Sequence, residues 1–141
     1  HILFAADNGT DGGELHVYDT LTGDLTAYNL NTNTANYTEQ WDQSGWSNPH
    51  NYLEFEGDVY FVSRSSNYNS NFYKFDTSTN SVSIAFDVEN YWNSTPLDMD
   101  STNAQGLYLY NNELVFYHWA DCVLHSGGNA LRRLDGLQCR K

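Results

Sequence analysis

The chain has 141 residues, with 18 acidic side chains against six basic ones and a formal net charge of −12. That balance argues against nucleic acid or an anionic membrane as partner, since both demand clustered cations, and no apolar run is long enough for a membrane-spanning helix. Divalent cations and cationic or neutral partners suit it better, and a halophilic or marine setting is compatible with it. Aromatic residues make up 16% of the chain, with 11 Tyr and 7 Phe. The polar part is rich in Asn, Ser and Thr, which favour turns and strand faces over long helices, and no window sustains helical periodicity.

Taken from the start, residues 2–6 centre on Phe4 and predict a strand, followed by a second at 15–19 that ends in Asp19. A chain that opens inside a strand reads as a processed mature protein or as a segment of a longer one. Residues 51–55 alternate next, Glu56-Gly57-Asp58 turns, and 59–63 return around Phe61. A strand at 72–76 ends in Asp76, a turn follows at 77–80, and 82–86 closes a four-stranded antiparallel meander. A third unit repeats the pattern. It has a strand at 107–110, an Asn111-Asn112 turn of the kind that takes positive φ at both positions, a strand around Phe116, and a strand at 131–135 ending in Asp135.

The three units recur at a fixed interval: Phe4, Phe61 and Phe116 are 57 and 55 residues apart, and Asp19, Asp76 and Asp135 are 57 and 59 apart. Repetition of a supersecondary unit at such a period marks a repeat architecture. On this reading the first unit has strands two to four, the second is complete, and the third has strands one to three. Four extra residues near Cys122 then enlarge the third unit's hairpin loop. Trp46 and Trp92 stand before the second and third meanders, each with a proline a few residues on.

Two stretches carry a family resemblance. Residues 4–19, Phe-Ala-Ala-Asp-Asn-Gly-Thr-Asp-Gly-Gly-Glu-Leu-His-Val-Tyr-Asp, resemble the bacterial ELWxxDGT repeat, and residues 47–61, beginning Ser-Asn-Pro-His-Asn-Tyr-Leu, resemble its upstream part. The chain departs from the motif at His16, where it has Trp, and at Thr20, where a Gly-Thr pair stands. The resemblance implies propeller blades of large secreted or surface proteins without a known catalytic activity. Residues 18–23 are also similar to the turn between third and fourth strands in many β-propellers. The expected fold is therefore all-β: antiparallel four-stranded meanders of β-propeller-blade type, about two and a half blades in one domain, with an incomplete blade at 1–46, a blade at 47–91 and an incomplete blade at 92–141.

Candidate sites follow from the residues. Asn8, Asn36 and Asn93 head Asn-X-Thr sequons, which mark glycosylation in a secreted protein. Cys122 and Cys139 are 17 apart; paired, they would close a loop worth roughly 3 kcal/mol, and two buried free thiols are the alternative. Asp7, Asp11 and Glu14, on a Gly-rich loop, offer oxygen ligands to calcium; the plain alternative is a long Asx- and Gly-rich turn. Trp41, Trp46, Trp92 and Trp119 suit sugar stacking or packing between units. His1 would chelate copper through its amine and ring if the N-terminus is native, with His16, His50, His118 or His125 as partner. There is no phosphate loop, nucleophile elbow or zinc cluster. Asp19, Asp76 and Asp135 are expected to brace turns. The expected function is a non-catalytic extracellular structural or adhesive module, glycosylated and assembling through open β-edges with itself or a longer parent. A carbohydrate-binding module is the alternative and a copper enzyme using His1 the minor one; no cofactor is expected apart from calcium.

Overall fold

The structure, a computed structural model, describes residues 1–7, 9, 12–31, 46–65, 70–87, 104–118, 122–126 and 130–133; at 104–105 and from 117 onward it describes the backbone. The described residues contain strands and no helix. Eleven strands form three antiparallel meanders. The first sheet is β1 (Ile2–Asp7), β2 (Gly13–Tyr18) and β3 (Leu25–Tyr28). The second is β4 (His50–Phe55), β5 (Asp58–Arg64), β6 (Ser70–Asp76) and β7 (Ser81–Phe86). The third is β8 (Ala104–Tyr110), β9 (Glu113–His118), β10 (Cys122–Ser126) and β11 (Ala130–Arg133).

The turns form where the local chemistry permits. Glu56 and Gly57 have φ of 52° and 86°, and Asn111 and Asn112 have 50° and 58°. Two consecutive positive φ values are the signature of the two-residue hairpin turn whose twist matches the flanking strands. The loops after Asp19 and Asp76 are also alike. Asp19 Oδ1 accepts from the Leu21 and Thr22 amides, and Asp76 Oδ1 accepts from those of Ser78 and Thr79. Gly23 and Asn80, 57 residues apart, both take positive φ. These aspartates brace turns, as expected, by the Asx geometry that satisfies two amides at once.

The third sheet corrects the sequence reading. Residues 131–133 pair with β10, not with β9, and Phe116 faces Val123 across the ladder. Cys122–Ser126 is therefore the third strand and Ala130–Arg133 the fourth, so the unit at 92–141 contains a complete four-stranded meander. The repeat of Asp135 misplaced the strand. The nearer segment wins because β10 opens four residues past the end of β9, and a short loop costs less closure entropy than a long one.

The second sheet is covered on both faces. One face carries Phe61, Tyr73 and Phe75 against Leu15 and Val17 of the first sheet, with Leu3 and Tyr28 at the margin. The opposite face carries Tyr60, Val62, Phe72 and Phe86 against Leu107, Leu114 and Phe116 of the third. Phe72 and Phe116 are in tilted contact at 4.9 Å between centroids. Strand alternation explains the division, since neighbours along β5 and β6 point to opposite faces. The same repeat position thus meets two environments: Phe61 and Phe116 are fully buried, whereas Phe4 is 36% exposed. Phe61→Ala and Phe116→Ala should each destabilise the fold by about 3–5 kcal/mol and Phe4→Ala by much less, as measured by urea denaturation of the three variants.

Candidate functional site

The described polar residues converge most closely where the first sheet, the 46–49 connection and the second sheet meet. Glu14 enters from β2 and is fully buried. Its Oε1 accepts from the Ser47 amide at 3.2 Å and its Oε2 from the Leu30 amide at 3.1 Å. The Ser47 hydroxyl lies 2.6 Å from Glu14 Oε2 and 3.1 Å from the Gly13 carbonyl. The Ser47 carbonyl then accepts from the Arg64 amide at 2.7 Å and the Ser63 hydroxyl at 3.0 Å. Asn48 N–H donates to the Gly13 carbonyl at 2.8 Å. One serine therefore joins β2 to β5. Burial of so many polar atoms is tolerable only because they satisfy one another. Asn71, 57 residues after Glu14, is buried at the corresponding place in β6.

Trp46 completes this joint by packing. Its indole lies directly on Gly12, where any Cβ would collide with the ring, and Gly12 takes φ +80° besides. Only glycine serves both demands. Trp46 Nε1 is buried, with no hydrogen-bond partner among the described residues, and the ring packs the joint. Trp41, Trp92 and Trp119 lie outside the described residues, as do the sequon residues Asn8, Asn36 and Asn93. Cys139 and the side chain of Cys122 lie outside them too, and so does Asp135.

The calcium set is not brought together. Asp7 pairs with Gly13 and Glu14 with Ala6, so Asp7 and Glu14 project from opposite faces of the hairpin. Asp7 Oδ1 accepts from the Gly9 amide at 2.7 Å, and Glu14 is turned into the Ser47 joint; Asp11 lies outside the described residues. Among the described residues no three His, Cys, Asp or Glu side chains converge as metal ligands. His1 Nε2 lies 3.6 Å from Asp19 and its ring meets the edge of Phe75. His16 and His50 turn Nδ1 to the carbonyls of Glu14 and Asn48; the side chains of His118 and His125 lie outside the described residues.

One cleft escaped the sequence reading. It holds about 200 Å³ and is lined by Asn51, Tyr52 and Leu53 of β4 and by Gly106, Leu107 and Tyr108 of β8. These triplets are equivalent, 55 residues apart, and each strand shifts register there, between His50 and Leu53 and between Ala104 and Gly106. Repeated bulges re-aim both strands at one point. Asn51, which takes φ of 55° at the bulge, was the residue type that could have signalled it. Burial pushes the phenols of Tyr52 and Tyr73 up to about 12, so both stay protonated at neutral pH.

The chain matches no protein-family model, and it has no significant match among curated proteins or solved structures.

Two predictions come from this geometry. Glu14→Ala orphans the Ser47 and Leu30 amides, each at a cost on the order of 1–3 kcal/mol, so the urea midpoint should fall sharply, and far more than for the exposed Glu54→Ala. At the turn after β6, the Ser78 hydroxyl and then the Thr79 amide hold Asp76 at about 2, below the ordinary 3.8. A depressed carboxylate stabilises the fold above its unfolded value and loses that contribution as pH falls through its folded value. The Asp76 contribution should therefore be complete above about pH 4 and vanish toward pH 2, which a carboxyl-carbon NMR titration of Asp76 reads directly.

Proposed function

We propose that the chain is a non-catalytic structural or adhesive module of the extracellular surface, built of propeller-blade-type repeats of the ELWxxDGT kind and assembling through open β-edges with itself or with a larger protein of the same repeats. The observation that carries this reading is the state of β1. In the second and third sheets the strand carrying the repeat phenylalanine, β5 or β9, is paired on both sides. In the first sheet the corresponding strand, β1, is an edge among the described residues. An edge strand presents unpaired N–H and C=O groups that accept another strand. Further support comes from the three sequons and the pair Cys122 and Cys139, which suit an oxidising, glycosylating route.

The net charge of −12 sets the conditions for such assembly. Copies repel one another, and salt screens that repulsion, shortening the Debye length from about 30 Å at 0.01 M to about 8 Å at 0.15 M. Sedimentation velocity should therefore show mass rising with protein concentration, and rising further as salt is added across that range. Ala5→Lys, which places a charge on the edge strand, should weaken the association. A chain that stays monomeric at every concentration and salt level overturns the reading.

A further inference from the structure

The first sheet repeats a face that the second sheet buries, here with His16 buried and Ile2, Phe4, Tyr18 and Leu25 exposed among the described residues. At the 57-residue interval Phe4, His16 and Tyr18 correspond to Phe61, Tyr73 and Phe75, and Ile2 and Leu25 to Val59 and Val82. The correspondence extends to geometry. Phe61 stacks on Tyr73 at 5.6 Å and 17°, and Phe4 stacks on His16 at 5.6 Å and 21°. The ladder aligns Ile2, Tyr18 and Leu25 in one row across the three strands, and these are 54%, 38% and 59% exposed. Phe61, Tyr73 and Phe75 are buried because the first sheet lies over them.

We infer that this row is a receiving face for a second copy of the chain, stacked face to face as the second sheet stacks on the first. The inference rests on the reading of the chain as a self-assembling module and assigns the assembly to a surface distinct from the β1 edge. The interface continues one already present twice within the molecule, between the first and second sheets and between the second and third. The chain also carries the other half of the contact. On the third sheet, Leu107 and Phe116 point to the second sheet, so Tyr108 and Tyr110 of β8 point away from it, and both are exposed. Val115 of β9, itself buried, shares that far face through its pairing with Tyr108 and stands at the repeat position of Leu3, which lies in the packing against Phe61. Stacking the far face of one copy on the Ile2, Tyr18 and Leu25 row of the next is a heterologous contact. It leaves one receiving and one covering face free, and so yields a ring or a filament rather than a closed dimer.

Sedimentation velocity on the folded chain tests this with Leu25→Asp on the receiving face, Tyr110→Asp on the covering face, and Leu21→Asp as a control. Leu21 is 94% exposed in a turn off both faces, and the substitution makes the same charge change. Ile2→Asp and Tyr108→Asp repeat the test independently, and circular dichroism checks that each variant is folded. Each face variant should associate at least tenfold more weakly than the Leu21→Asp control. An equimolar mixture of Leu25→Asp and Tyr110→Asp should recover a one-to-one dimer that grows no further, because each copy brings one intact face. If the face variants assemble like the control, the stacking inference falls and edge assembly stands; if their mixture stays monomeric while the wild type assembles, the pairing of these two faces falls. A wild type that never assembles removes both.

Discussion

Ser47 is the point at which separate meanders become one body. Its amide and hydroxyl meet the Glu14 carboxyl, and its carbonyl takes the Arg64 amide and the Ser63 hydroxyl. Glu14, Ser47 and Ser63 are fully buried, so their polar atoms rely on one another, and the geometry that satisfies them is nearly unique. The angle at which the first sheet meets the second, and hence the burial of Phe61, Tyr73 and Phe75, depends on this joint. Trp46 on Gly12 closes it from the side.

From that joint outward, the architecture is a stack. The aromatic side chains of the middle sheet are shared between two interfaces, one per face, because strand alternation sends successive residues to opposite sides. Lys74 is a charged residue in the middle of β6. Its ammonium donates to Asp58 at 2.9 Å, and that hydrogen bond raises its affinity for the proton. The ion pair is half-exposed, so it orders the Asp58–Asp76 corner more than it stabilises the fold.

A stack of equivalent faces has a functional consequence that a single closed core does not. On the proposed stacking, each sheet presents one face that receives and one that covers. On the far faces of the first and third sheets, Ile2, Tyr18, Leu25, Tyr108 and Tyr110 are exposed. The strong net negative charge opposes their meeting at low salt. Under the proposed self-assembly, such a balance between apolar faces and repelling charge would make association depend on conditions.

Much of this was legible in the residues. The strands around Phe4, Phe61 and Phe116 and the turns at Glu56-Gly57, Asn111-Asn112, Asp19 and Asp76 all follow from local chemistry: alternation, positive φ and Asx capping need no distant partner. The third sheet was not legible to the same degree. Asp135 repeated the spacing of Asp19 and Asp76, but strand pairing is decided by which edge is nearest and not by which residue matches. Glu14 shows the same limit. In sequence it sits on an acidic Gly-rich loop and looks like a cation ligand, while in the fold it meets a serine 33 residues away. The repeated hairpins were thus determined by the sequence alone, because each is built from neighbours along the chain. Only the tertiary structure decided which faces are buried, which lie open, and that Glu14 and Ser47 belong together, because those outcomes depend on contacts between residues far apart in the chain.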